Sequence, residues 1–317
     1  MSGSAWTVEP GFASVGIVAA CDLGRDCIID QEGTGIGKLL DRCLHREGRG
    51  LVAMAPPILA PPEASVAKLW ILSDLHLETL PDPDGFRPAP PAFDVLVAAG
   101  DIQEGDPGCG FAFLRRLAGD RPVVFVMGNH EHWNGLIDED LALAGMLAER
   151  AGITLLDGTS AVLAGCRFVG TTLWSDYRLA GYLDPRTPTG EPVEVAHEGG
   201  SHLLTIGDAA ALHRRARTAL AARLEEDDGA LPLVVVTHHA PHPNCIHPAQ
   251  RGTWNAGNSA SDLSALTDAG RAALWVHGHV HHAVDLVRPG GTRILCNPAG
   301  AGFSNPAFAD GLVVALG

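Results

Sequence analysis

The sequence predicts an α/β fold with a polar site gathered at the carboxyl ends of its strands. Three observations support this. Five short apolar runs are continuous and rich in β-branched residues, which suits strands buried on both faces. Segments with helical character fall between several of them. Each of the five runs ends in Asp, Asn or His, and in open α/β sheets binding sites collect at the carboxyl ends of strands.

The elements follow in order. Residues 1–65 differ from the rest: they are glycine-rich in stretches, lack sustained periodicity and end in Pro56-Pro57 and Pro61-Pro62. They read as a poorly ordered or accessory N-terminal extension, and residues 66–317 as the functional domain. Lys68 to Ser73 is the first apolar run and leads into Asp74. Asp94 to Ala99 leads into Gly100-Asp101, and Pro122 to Met127 into Gly128-Asn129-His130-Glu131. Helices are expected over Phe111 to Leu117, Leu136 to Arg150 and Leu203 to Glu226. Shorter strands are expected at Ile153 to Leu156, Ala161 to Leu163 and Arg167 to Val169. Residues 175–200, with Pro185, Pro188, Pro192 and several glycines, read as a long loop beside the site. Leu233 to Thr237 runs into His238, and Ala273 to Val276 into His277-Gly278-His279. A short helix is expected to start at Ser261 as its N-cap, with Asp262 in the first turn. Thr292 to Cys296 and Leu312 to Leu316 close the chain as strands.

Composition bounds the function. A chain of 317 residues with 46% hydrophobic content can bury a sizeable core. Its formal net charge of −15 repels polyanions, so nucleic acid is not an expected partner. A small phosphate ester remains compatible if bound cations reverse the local sign. The seven cysteines are odd in number, scattered and without a Cys-x-x-Cys pair, which points to reduced thiols in a cytoplasmic protein. No apolar run approaches the length of about 18–20 residues that a membrane span needs. Val18-Ala19-Ala20-Cys21 looks like a lipoprotein cleavage box, but Glu9 and no basic residue precede it, the wrong charge for an export signal. Gly33 to Lys38 fails the spacing of a phosphate loop, and Leu39 stands where Ser or Thr should hold magnesium.

The strand-end residues form a donor set. Asp74 and Asp101 offer carboxylates, Asn129 a neutral oxygen, and His76, His238, His279 and His281 imidazoles. Gly100 and Gly278 free the backbone for close approach. Oxygen and nitrogen donors in this mixture suit manganese, iron or zinc better than calcium. Seven donors exceed what one ion with open positions needs and match two ions sharing a bridging carboxylate. Each motif alone is commonly a turn or a cap; five of them in order, each at a strand end, are not.

Asp74-x-His76, Gly100-Asp101, Gly128-Asn129-His130-Glu131, His238 and Gly278-His279-Val280-His281 resemble the ordered motifs of the calcineurin-like metallophosphoesterases. The likeness spans about residues 70–300. Ser73-Asp74-Leu75-His76-Leu77-Glu78, Thr237-His238-His239-Ala240-Pro241 and Cys296-Asn297-Pro298 resemble one bacterial branch. The resemblance implies a four-layer αββα sandwich of two facing mixed sheets flanked by helices. It implies that Asp74, His76 and His281 hold one divalent metal, Asn129, His238 and His279 a second, and that Asp101 bridges them. His130 would stabilise developing charge or protonate the leaving oxygen, and Glu131 would orient His130 or a group behind the ligands. The nucleophile implied is a hydroxide between the two metals, acting on a phosphate ester as phosphatase or phosphodiesterase. His239 is placed behind the ligands or towards substrate, His277 in a buried strand and His282 at the rim. Asp176, His197, His242 and His247 lie in loop-like stretches and could touch substrate, with a solvated surface role as the alternative reading. A non-catalytic metal-binding scaffold on the same fold is the alternative; it would be expected to have lost ligands, and none is missing. A metallo-β-lactamase-like enzyme would need a His-x-His-x-Asp-His run, which is absent.

Overall fold

The computed structural model describes residues 66–181 and 183–317. The expected extension over residues 1–65, with its Val18–Cys21 box and Gly33–Lys38 segment, lies outside the described residues. Among the described residues, thirteen strands and five α-helices follow in chain order. The strands are β1 (Ala67–Leu72), β2 (Val95–Ala98), β3 (Val123–Phe125), β4 (Thr154–Leu155), β5 (Thr159–Leu163), β6 (Cys166–Thr171), β7 (Glu194–His197), β8 (Gly200–Leu203), β9 (Leu233–Thr237), β10 (Leu274–His277), β11 (Val284–Val287), β12 (Arg293–Cys296) and β13 (Val313–Leu316). The helices are α1 (Pro107–Ala118), α2 (Ile137–Ala151), α3 (Ile206–Glu225), α4 (Trp254–Ser259) and α5 (Ser264–Thr267).

Two mixed sheets form the body. One has the order β13-β1-β2-β3-β4, parallel except for β13. The other has the order β11-β12-β10-β9-β6-β5, parallel in its centre, with β11 and β5 antiparallel at its edges. Alternation along each strand sorts the side chains into layers. Leu69, Ile71, Val95 and Val97 pack with Phe168, Val234, Val236 and Val276 in a core between the sheets. Trp70, Leu72, Leu96 and Phe125 point the other way, against Phe111 and Leu114 of α1 and Ala144 and Ala148 of α2. Val235, Trp275 and Ile294 meet Leu220 and Leu224 of α3. The architecture is the expected αββα sandwich.

Local chemistry sets the helix ends. Asp106 caps α1 through Cys109 N–H, with Pro107 in the first turn. Thr205 and Asp208 form a reciprocal capping box on α3. Ser261 does not cap a helix. Its hydroxyl accepts from Asp176 N–H and bonds the Asp176 carboxylate, and α5 starts only at Ser264, where Asp262 accepts the Ser264 N–H. The region 175–200 is more ordered than a loop. Its end forms β7, which pairs with β8 in a small antiparallel sheet of its own, and α3 begins three residues later than the sequence suggests.

Burial lowers the pKa of two histidines in the body of the fold. His277 in β10 is fully buried, and burial pushes it down to about 4. His213 on α3 is also buried; burial lowers it, and Nδ1 lies 3.3 Å from Trp174 O. When unfolded, His213 takes up a proton near its ordinary value of about 6.5, whereas the folded form resists it. The stability that neutral His213 contributes is therefore present above that value and lost as pH falls below it. The stability advantage of the wild type over His213→Gln is expected to shrink between pH 7.5 and 5 in urea titrations. A constant difference would contradict this.

Candidate metal centre

The site is built where the pairing of β1 with β2 runs on past both strands. Asp74 N–H donates to Gly100 O, His76 N–H to Asp101 O and Leu77 N–H to Ile102 O, all at 3.0–3.1 Å. Asp74 and His76 are thereby set beside Asp101. From the second sheet, His238 donates its Nδ1–H to Ala99 O at 2.8 Å, and His279 N–H donates to Asp74 Oδ1 at 2.8 Å. Asn297, in the Cys296-Asn297-Pro298 segment, donates to Ile71 O and Ala309 O. The residues from strand ends of the two sheets therefore meet at one seam.

Three groups of donors lie at that seam, one of them made of His76, Glu78 and His130. In the other two, Asp74, His76, Asp101 and His281 present atoms within 4.8 Å of one another, and so do His238, His239 and His279. Asn129 joins the His238 group: its Oδ1 is 3.0 Å from His238 Nε2 and 2.9 Å from His279 Nδ1. Asp101 Oδ2 lies between these two groups, 3.2 Å from His238 Nε2 and 3.7 Å from His76 Nε2. All seven sequence-derived donors are thus brought together. His239 lies with them: its ring stacks on His279 at 4.2 Å, and its Nδ1 lies 3.3 Å from Thr172 O.

The donor set fits divalent cations on two counts. Asp74 Oδ2 and Asp101 Oδ2 are buried with no hydrogen-bond partner, a condition that costs free energy unless a cation or proton meets it. The imidazoles respond accordingly. Burial opposes a charged His76, but its hydrogen bond to Glu78 and the charges of Asp101 and Asp74 raise it to about 9. Burial likewise opposes a charged His238, and the charge of Asp101 overrides it, to about 10. The buried carboxylates draw protons onto neighbouring rings, and a divalent ion would satisfy the same demand while displacing those protons. His279 and His239 go the other way: burial and adjacent imidazoles hold His279 well down and His239 at about 3.

Outer contacts orient the rings. His76 Nδ1 lies 3.0 Å from Glu78 Oε1, and Glu78 Oε2 accepts from Glu104 N–H. With Nδ1 committed to a carboxylate, Nε2 of His76 is the nitrogen that faces the cluster. Backbone strain contributes as well. Asp74, His76, Asp101, His279 and His281 all have positive φ, between 45 and 67°, a region that non-glycine residues enter at a cost. Gly128 and Gly278 are needed for close approach. A Cβ on Gly128 would stand 2.1 Å from Asp101 Oδ1, and one on Gly278 would stand 2.6 Å from Asp74 Oδ2.

His130 and Glu131 separate in role. The His130 ring lies edge-on to His76 at 4.4 Å and flat against Trp133 at 3.5 Å. Its Nδ1 is buried without a partner, and its backbone N–H donates to Asp101 Oδ1. Burial lowers its pKa. Glu131 does not hold the His130 ring. Its oxygens accept from the backbone N–H groups of Asp101, Ile102, Gln103 and Gly128, pinning the loop that carries Asp101 to the loop that carries Asn129. Burial and the Asp101 charge raise this carboxyl to about 7, against the pull of those N–H groups. His277 is buried as expected, and His282 is partly exposed. Asp176, His197 and His242 are engaged elsewhere: with Ser261, with His202, and with Asn244 N–H. His247 accepts from Ala249 N–H through Nδ1 at 3.3 Å and lies 6.0 Å from His282 between ring centres.

Three side chains beyond the expected set complete the site. Glu78 fixes His76, Trp133 stacks on His130, and Glu191 accepts from both Asn129 and Trp133. Glu78 could have been found from its position two residues beyond a candidate ligand. Glu191 could not, since 62 residues separate it from Asn129.

A family profile described as calcineurin-like phosphoesterase matches residues 67–283, a span that holds every donor named above. An uncharacterized protein of Acanthamoeba polyphaga mimivirus is 24% identical over 247 residues, covering 70% of this chain and 87% of its own. Among solved structures, the phosphopantetheinyl hydrolase from Mycobacterium tuberculosis is 20% identical with a TM-score of 0.56, over 74% of this chain and 89% of that one. At that identity the likeness is one of fold.

Glu131→Gln places an NH2 group against a backbone N–H in a buried site. The loss is expected to be about 1–3 kcal/mol of stability, the cost of leaving a buried donor unsatisfied, measured by denaturant unfolding. An unchanged midpoint would mean that the two loops are held by other contacts.

Proposed function

The chain belongs to the calcineurin-like phosphoesterase family, and from that premise we propose that it is a dinuclear, metal-dependent hydrolase of a small phosphate ester. The observation that carries the reading is the place of Asp101 Oδ2, buried, unpartnered and within 3.7 Å of both His76 and His238. Asp74, His76 and His281 would hold one ion and Asn129, His238 and His279 the other, with Asp101 shared. Manganese, iron and zinc all suit these donors. Bound there, two divalent ions would polarise the phosphoryl oxygens and lower the pKa of a water molecule towards neutrality.

The chain's own groups do the rest. Glu131 keeps the Asp101 and Asn129 loops at fixed spacing, so that the donors converge without rearrangement. Trp133 holds His130 face-on, and this half-buried imidazole groups with His76 and Glu78 rather than with either set that Asp101 joins. From there it would steady charge on the phosphoryl group or hand a proton to the leaving oxygen. A net charge of −15 favours a compact phosphate ester over a long polyanion. Residues 66–317 form the proposed functional unit, acting in the cytoplasm; among the described residues no helix is long and apolar enough to cross a membrane. Placement in a bacterial branch rests on the Ser73–Glu78, Thr237–Pro241 and Cys296–Pro298 motifs, and the relatives matched include a viral protein.

Elemental analysis and turnover of aryl phosphate mono- and diesters after manganese loading test the reading. About two ions per chain with turnover is the expected result, and no bound metal would refute it. Two ions without turnover on any ester would favour the scaffold instead. Asp101→Ala is expected to lose at least one ion and all activity while staying folded. His130→Ala should keep both ions and lose roughly 10²–10⁴ in rate, the range of general acid–base catalysis. Loss of metal in that variant would move His130 into the ligand set.

A further inference from the structure

Asn129 can serve a cation only through its oxygen, because an amide nitrogen has two hydrogens and no lone pair to offer. Which end of the amide faces the cluster is therefore a functional question. Its neighbours decide it. Oδ1 faces His238 Nε2 and His279 Nδ1, while Nδ2 donates to Glu191 Oε2 at 2.9 Å. The same Oε2 accepts the indole N–H of Trp133 at 2.7 Å. Glu191 is itself tethered: its N–H donates to Thr189 Oγ1, and Asn258 Nδ2 lies 3.5 Å from Oε1. Turning the amide over would set its oxygen against the Glu191 carboxylate and its NH2 against the ring nitrogens.

The segment that carries Glu191 is laid along the Asn129 loop by backbone bonds. Asn134 N–H donates to Pro192 O, Glu194 N–H to Gly135 O, and Thr189 N–H to Leu204 O. We propose that Glu191 is a positioning residue that fixes the Asn129 amide oxygen-inward and holds the Trp133 indole against His130. The proposal rests on the metal-binding reading above. It adds a requirement from outside the five motifs: one acidic side chain on the segment before β7 sets the geometry of a ligand and of the imidazole beside it. Its effect is confined to the Asn129 side of the pair, since Asp74, His76 and His281 have no contact with it.

Calorimetric titration of manganese into the wild type, Glu191→Gln and Glu191→Leu tests this. The wild type is expected to take two ions; fewer than two would undo the dinuclear reading itself. Glu191→Leu should weaken one binding event by about 10–100-fold, the usual cost of losing an outer-shell partner, and leave the other unchanged. Glu191→Gln should stay close to the wild type, because a side-chain amide oxygen can accept the same two N–H groups. If Glu191→Leu does not fold, Glu191→Asp, one carbon too short to reach Asn129, carries the same expectation. Two wild-type binding events in the folded Leu or Asp variant would overturn the proposal. Equal weakening of both events, the mark of a general loosening, would also overturn it.

Discussion

Everything at the carboxyl edge of this sandwich depends on burying two carboxylates, Asp74 and Asp101, at the seam between the sheets. Both are almost fully shielded from water, and each has an oxygen with no hydrogen-bond partner. A buried charge without compensation costs several kcal/mol even after relaxation. The surrounding chain gathers the imidazoles that can supply the compensation around both carboxylates. The imidazoles that answer the charge come from both sheets, His76 from the end of β1 and His238 from the end of β9. The seam is therefore closed by electrostatics as well as by the apolar layer beneath it.

That arrangement needs rigidity that the donors cannot provide for themselves. Five candidate ligands sit at positive φ, each at a cost of order 1–3 kcal/mol. The strain persists because the neighbouring backbone over-determines it: parallel pairing continues past β1 and β2, and Glu131 collects four N–H groups from two loops. The all-apolar strands below, buried on both faces, anchor the loops. Gly128 and Gly278 then let backbone pass within reach of the carboxylates. Core packing and site chemistry are separate layers of one design, the first rigid enough to hold the second in an unfavourable shape.

The central strands were legible because continuous apolar runs have few alternatives in a chain of this composition. The donors were legible because they stand at the ends of those runs, where the sheet itself brings them together. Other features depend on distant partners and leave no local trace. Ser261 has the look of a helix cap, yet it spends its hydroxyl on Asp176, 85 residues away. Strands β7 and β11 and helix α4 are short and partly exposed, without the apolar run that marks the others. Glu131 reads as a partner for its neighbour His130 but reaches 30 residues back to Asp101 instead. Positive φ at Asp and His is likewise a consequence of tertiary contacts that residue type alone does not announce.

The segment between Pro188 and Thr205 is fastened at its base and exposed at its tip. Its ends are fastened by apolar contacts: Val193 and Leu204 are fully buried with Ile137, Trp174 and Tyr177 in a cluster separate from the main cores. Its tip, β7 and β8, is largely exposed. Glu191 lies at the fastened base, beside Asn129. The base holds the Asn129 amide, and the exposed tip takes no part in that contact. Base and tip separate because hydrophobic anchoring falls off sharply along the hairpin, from buried Val193 to strands that face solvent only a few residues later.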